Sequence, residues 1–242
     1  IHDILGSRLQ GLVHTVNEDP GDRPKTTEGV QKILYGKDHI TEEILGLEFE
    51  ISLESFFQTN PTSAALLFQK AMDYVRETDI DKPVILDLFS GTGTISQLLA
   101  RANPDKKVIG VELIKEAVQD ARENASRNGF DKLKFVSADV GRFLLDHPKY
   151  KDQINTLVMD PPRAGIAPKT LRKVIRLGAD RMVYISCNPA TQARDIGILR
   201  EHGYELKKYS LVDQFPHTAH IESVALFERG KSGEYSPATA TD

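Results

Sequence analysis

Ser186-Cys187-Asn188-Pro189 contains the only cysteine of this 242-residue chain, in a setting that suits a reactive sulfur. The apolar run Arg181–Ser186 predicts a buried strand, and Asn188-Pro189 opens a helical pattern, so Cys187 falls in the turn at a strand's carboxyl end. There, unpaired backbone N–H groups and the positive end of a helix dipole favour the thiolate. A lone cysteine is also a good small core residue, so the thiol gains meaning only from what surrounds it. Glu222 lies where a last strand begins and could move a proton. Asp160-Pro161-Pro162-Arg163 ends another strand, and its two prolines stiffen the exit, fixing the Asp160 carboxylate in place. His217 and His220 sit in Phe215–Glu222 without a third ligand, so they serve as hydrogen-bonding groups and no metal site is expected.

The loop Asp87–Thr94 supplies a second kind of chemistry. Gly91 and Gly93 let the backbone approach a ligand, and Glu112, ending the next strand, is placed to hold ribose hydroxyls. A dinucleotide fingerprint would have a third glycine where this chain has Ser96, which argues against NAD. Asp139, ending the following strand, meets an adenine ring or simply caps a helix; both readings are open.

Regular strand–helix alternation from Pro83 onward positions these groups. Strands are expected at Val84–Phe89, Val108–Leu113, Leu133–Ala138, Thr156–Asp160, Arg181–Ser186, Leu206–Val212 and Ser223–Glu228. Helices are expected at Thr94–Arg101, Lys115–Asn128, Pro168–Leu177 and Pro189–Glu201, with a further one from Pro61, capped by Asn60, to about Thr78. Gly129 and Gly203 read as helix stops. Apolar strands alternating with helices imply a mostly parallel sheet of seven strands, covered on both faces, and the last two strands, joined without a helix, imply an antiparallel closure. Residues 1–55 form a small β-rich appendage with strands at Gly11–Val16 and Ile44–Ile51 around a polar connection, Asn17–Gly29. Residues 56–230 form the main domain, and 231–242 a polar, disordered tail. The chain starts at Ile1, as a processed or excised piece would.

Composition constrains the partners. At 40% hydrophobic and 27% charged the chain can bury a full core, and no apolar run is long enough to span a bilayer, so a soluble, cytoplasmic, monomeric protein is expected. One cysteine excludes a disulfide framework and any multi-cysteine cluster within the chain. The net charge of -4 does not advertise nucleic-acid binding, although Arg163, Lys169, Arg172, Lys173 and Arg176 form a local basic run.

The form Asp87-x-Phe89-x-Gly91-x-Gly93 resembles motif I of S-adenosylmethionine-dependent methyltransferases. Together with Phe57-Gln58-Thr59-Asn60-Pro61, Asp160–Arg163, Ser186–Asp195 and Phe215–Glu222, it resembles the RNA uracil-C5 methyltransferase family over about residues 12–229. That resemblance implies an α/β, Rossmann-like class I methyltransferase fold with S-adenosylmethionine as cofactor. It also implies a covalent mechanism in which Cys187 adds to C6 of uracil and Glu222 removes the C5 proton. By motif position, Gln58, Phe89, Gly91, Gly93, Glu112, Asp139 and Asp160 contact the cofactor, and Arg163, Asn188 and His217 contact substrate. The Phe-Pro-His-Thr and Asn-Pro-Ala-Thr stretches look more like the ribosomal-RNA members than the transfer-RNA member, so ribosomal RNA is the expected partner and tRNA the alternative. Family members usually carry an amino-terminal oligonucleotide-binding barrel, absent here, so a catalytic fragment with weak RNA affinity is expected. A cytosine-C5 enzyme and a non-catalytic RNA-binding module remain as alternatives.

Overall fold

The computed structural model describes residues 1–16, 31–53, 55–76 and 80–230. The expected polar connection at 17–29 and the tail at 231–242 lie outside the described residues. A short helix α1 (His2–Leu5) precedes β1 (Gly11–Thr15), which pairs antiparallel with β2 (Gln31–Gly36). β3 (His39–Ile44) and β4 (Leu47–Ser52) form a second hairpin. The single strand expected at 44–51 is therefore divided, because Leu45 and Gly46 take φ of 50° and 77° and make a two-residue turn.

After α2 (Pro61–Arg76), the chain builds one seven-stranded sheet. Its elements are β5 (Val84–Leu88), α3 (Thr94–Ala102), β6 (Lys107–Glu112), α4 (Lys115–Arg127), β7 (Lys134–Ser137), α5 (Val140–Asp146), β8 (Ile154–Met159), α6 (Pro168–Arg176), β9 (Arg181–Ser186), α7 (Pro189–Glu201), β10 (Tyr204–Val212) and β11 (Glu222–Arg229). The spatial order is β10-β11-β9-β8-β5-β6-β7. The five strands from β9 to β7 are parallel, and β11 runs antiparallel to both β9 and β10. This is a Rossmann-like α/β fold, as the alternation of elements predicts. Only α5 among the domain's helices has no counterpart in the sequence-based reading.

β5, β8 and β9 are buried at every residue, as strands covered on both faces must be. Alternate residues serve opposite layers. Leu86, Leu88, Leu157 and Met182 pack with α5, α6 and α7. Ile85, Val158, Val183 and Val224 pack on the other face with α2, α3 and the β3–β4 hairpin, whose Ile44, Leu47, Phe49 and Ile51 belong to the same cluster. The composition boundary near residue 55 thus passes through a shared core. The chain winds outward from β5 through β6 and β7, then returns to the other side of β5 as β8. That reversal opens a crevice beyond the carboxyl ends of β5 and β8, where open α/β sheets bind ligands.

Gly93 shows how tightly this crevice is built. It has φ 80°, and a Cβ placed on it would lie 2.6 Å from the Phe135 ring and 3.0 Å from Ala121, whereas a Cβ at Gly91, at φ 51°, would meet nothing within 4 Å. Gly93→Ala is expected to cost about 2–4 kcal/mol from left-handed strain plus overpacking, and Gly91→Ala about 1–2 kcal/mol from strain alone. Urea unfolding of both variants checks this, and equal losses would contradict the packing argument.

Candidate active site

The loop after β5 turns back on itself through three left-handed residues, Phe89 at φ 66°, Gly91 and Gly93. It is tied to the neighbouring strand end by one carboxylate. Glu112 accepts from the Gly91 N–H at 3.0 Å through one oxygen and from the Leu113 and Ile114 N–H groups at 2.7 and 2.9 Å through the other. Asp87 is fully buried beneath the loop and accepts from the Ser96 hydroxyl at 2.5 Å. Ser96, the departure from a dinucleotide fingerprint, is therefore the partner of the motif's acid. Burial pushes the Asp87 carboxyl up to about 7, against the Ser96 bond and with the Glu112 charge adding to it. The other Asp87 oxygen and the Ser90 hydroxyl are buried without a protein partner.

On the far side of the crevice, β11 sets the decisive geometry. Ser223 pairs with Ser186 at the end of the antiparallel ladder of β11 and β9, so Glu222 and Cys187 both adjoin that last pair, close enough for the Glu222 charge to act on the thiol. Glu222 is only 3% exposed, while Cys187 is partly open to the crevice. Asp160 leaves the end of β8, its N–H held by the Leu88 carbonyl at 3.4 Å, which brings it beside the β5 loop. Burial raises Asp160 well above the usual carboxylate range, and the charges of Glu222 and Asp87 raise it further. Glu222 is raised by burial.

The thiol departs from the lowered pKa expected of a helix amino terminus. Burial pushes Cys187 up, Glu222 and Asp160 add to this, and a backbone N–H and Arg163 only partly oppose them. The physical reason is burial reinforced by two acidic neighbours, and the cap offers little against it. Asn188 is the N-cap and accepts from the Ala190 N–H at 3.2 Å, and Pro189 has no N–H, so little of the positive helix end faces the sulfur.

The remaining expected site residues divide. Gln58 accepts from the side chain of Gln214 at 2.9 Å, which holds it against the loop preceding β11. The Arg163 guanidinium contacts His220 Nδ1 at 3.2 Å. Asn188 donates to the Arg163 carbonyl at 3.1 Å in addition to capping α7, so both ends of its amide serve the scaffold. Asp139 caps α5 by accepting from the Arg142 N–H at 2.8 Å. His217 is exposed, at φ 70°.

Sequence reasoning quoted Thr191, Gln192 and Asp195 in a motif but gave them no task. Fully buried Asp195 accepts from the Ile166 N–H at 2.9 Å and the Tyr184 hydroxyl at 2.7 Å, and Gln192 bridges the Tyr184 carbonyl to the Ser223 hydroxyl. Polar residues at 188, 191, 192 and 195 fall on one helical stripe, a signal readable from spacing alone.

A tRNA (uracil-5-)-methyltransferase family model matches residues 26–230. The chain belongs to that family. It is 41% identical over 221 residues to an uncharacterized RNA methyltransferase of Clostridium acetobutylicum, covering 91% of this chain and 46% of the relative. A second relative, from Caldanaerobacter subterraneus, is 39% identical, with 93% and 48% covered. Among solved structures, the Pyrococcus abyssi tRNA (uracil-54, C5)-methyltransferase in complex with S-adenosyl-L-homocysteine superposes with a TM-score of 0.72 at 30% identity, covering 90% of this chain and 50% of that one. The chain spans about half the length of the curated relatives it matches. The matched family is one of methyltransferases, and the solved relative holds S-adenosyl-L-homocysteine, the demethylated form of the cofactor S-adenosylmethionine. The crevice suits that cofactor: open space over Gly91, the Glu112 carboxylate beside it, and the unpartnered Asp87 oxygen and Ser90 hydroxyl can receive a nucleoside and an amino group. Among the described residues, no group of three or more histidine, cysteine or acidic side chains could hold a metal, and no helix is long and apolar enough to cross a membrane.

Because Cys187 is the sole cysteine, its ionisation can be read directly from iodoacetamide alkylation against pH. The midpoint is expected above the ordinary thiol value of about 8.5. Glu222→Gln removes a neighbouring negative charge and should move the midpoint to lower pH. An unshifted or upward-shifted midpoint would show that the two groups do not interact.

Proposed function

We propose that this chain methylates C5 of uracil in RNA, with Cys187 as nucleophile and Glu222 as base. The observation that carries the reading is that Cys187 and Glu222 both adjoin the terminal Ser186–Ser223 pair of the β9–β11 ladder and interact electrostatically. S-adenosylmethionine, when bound, supplies an electrophilic methyl group on a sulfonium centre. Gly91, Gly93, Phe89 and Glu112 line its nucleoside end, and Gln58 and Asp160 lie toward the reacting end.

Asp160, raised by burial and by the charges of Glu222 and Asp87, stands beside the β5 loop and orients the target base, and Glu222 is the proton acceptor. The Cys187 proton is lost to solvent, and the sulfur bonds to C6. The electron pair displaced from the C5–C6 double bond makes C5 nucleophilic enough to take the methyl group, which the sulfonium would release with its bonding pair kept on sulfur as S-adenosylhomocysteine. Glu222 then removes the proton left on C5, the carbon–sulfur bond breaks, and 5-methyluridine leaves with the thiolate regenerated. The target base has to leave its stack to reach this depth, which costs a few kcal/mol unless it already sits in a loop.

Ribosomal RNA is the first target, on the Phe215-Pro216-His217-Thr218 and Asn188-Pro189-Ala190-Thr191 variants, with tRNA second. The reading is tested with ribosomal and tRNA transcripts on a denaturing gel. Glu222→Gln should slow turnover by roughly 100- to 10,000-fold and accumulate a covalent RNA adduct, while Cys187→Ala should form none. Equal crosslinking in both variants would refute these roles, and 5-methyluridine in tRNA alone would reverse the order of targets.

A further inference from the structure

A seam of side-chain hydrogen bonds joins the first part of the chain to the cofactor-binding part, and none of the motifs considered above includes it. On α4, Asp120, Asn124 and Asn128 stand at i, i+4 and i+8, one above the other on a single face. Along β4, Ser52, Glu50 and Glu48 stand at alternate positions of one strand. Four helical residues rise about 6 Å, and two strand residues rise about 6.6 Å, so the two series keep step. Each asparagine amide behaves as a piece of neighbouring strand. Asn128 accepts from the Glu48 N–H at 3.2 Å and donates to the Glu48 carbonyl at 2.8 Å. Asn124 accepts from the Glu50 N–H at 2.8 Å and donates to the Glu50 carbonyl at 2.9 Å. Asp120 ends the series, accepting from the Ser52 hydroxyl at 2.7 Å and from the Ser55 hydroxyl. The Arg127–Glu50 ion pair at 2.6 Å closes one side.

What the seam joins gives it meaning. α4 begins directly after the Leu113 and Ile114 N–H groups that hold Glu112. Ser55 lies three residues before Gln58, which in turn meets Gln214 in the loop leading to Glu222. A small hairpin held by apolar contact alone could slide along α4, whereas a bidentate amide at each second strand residue permits one register. We propose that Asn124 and Asn128 are positioning residues: they fix β4 on α4 and thereby set Phe57-Gln58 at a defined place over the cofactor crevice. This rests on the reading of Gln58 as facing the reacting end.

The chain contains no tryptophan, so Phe56→Trp provides a single fluorescent reporter beside Gln58. In that background, Asn124→Asp keeps an acceptor for the Glu50 N–H but loses the donor to its carbonyl, and Asn124→Leu loses both. The expected result is a lower reporter anisotropy in the order Asn, Asp, Leu. RNA methylation should fall about tenfold in kcat at saturating S-adenosylmethionine for Asn124→Asp at matched folded fraction. A merely structural role would lower the melting temperature and leave anisotropy and kcat of the folded protein unchanged, and that outcome overturns the proposal. Should Asn124→Leu not fold, Asn124→Asp and the equivalent Asn128→Asp carry the test. If the unmodified chain methylates no uridine, the functional reading fails by itself, while the anisotropy series still decides whether the seam orders the Gln58 segment.

Discussion

The pairing of β11 against β9 is the constraint on which the site depends. Side chains alternate across a strand, so a slip of one residue in this ladder would send Glu222 to the opposite face of the sheet and put Ile221 or Ser223 across from Cys187. The fold guards against the slip in two ways. Val224 and Leu226 belong to one apolar layer and Ala225 and Phe227 to the other, so a shift would misplace all four. The Ser223 hydroxyl adds a polar lock, its one proton facing two acceptors, the Gln192 side-chain oxygen at 2.8 Å and the Ser186 carbonyl at 3.2 Å. The antiparallel strand of a mostly parallel sheet thus brings the amino end of one strand to the carboxyl ends of the others. No all-parallel arrangement could place a strand-leading carboxylate beside the turn after β9.

That placement concentrates acid. Asp87, Asp160 and Glu222 all hold raised pKa values, each with burial as the leading cause, around a crevice whose one basic neighbour of the thiol is exposed Arg163. The thiol at the same site is also raised, so the resting site favours neutral groups. A resting site of neutral groups suits a neutral base better than a charged one, because burying an unpaired charge there would be costly.

Much of this was legible before any coordinates, and the limits have identifiable causes. α7 is predicted to its exact bounds, because Asn188-Pro189 is a strong helix start and Gly203 a strong stop. β9 is also predicted at Arg181–Ser186, since its residues are apolar and end at a turn. α5 escapes because seven residues are too few for a helical period to emerge. The hairpin at Leu45-Gly46 escapes because leucine rarely takes a left-handed conformation, so the turn lacks the Asn-Gly or Asp-Gly signature. The thiol's electrostatics depend on Glu222 and Asp160 approaching from distant parts of the chain, so a local argument from the helix dipole reached the opposite sign.

The asparagines of α4 show a different limit. In the sequence, Asn124 and Asn128 read as ordinary polar residues near a helix end, and nothing local says they face a strand. Their value comes from a numerical coincidence between two kinds of secondary structure, since four residues of helix and two of strand advance nearly the same distance. A strand docked on a helix normally leaves backbone groups without partners, and burying them unpaired costs about 1–3 kcal/mol each. The asparagine amide presents a donor and an acceptor on separate atoms in one plane, so it can satisfy the N–H and carbonyl of one residue at once. Aspartate satisfies only donors, which fits its use at the end of the series against the Ser52 and Ser55 hydroxyls. The choice of side chain at each position therefore follows from what the strand presents there, and the same logic explains how a hairpin outside the main sheet comes to share its core.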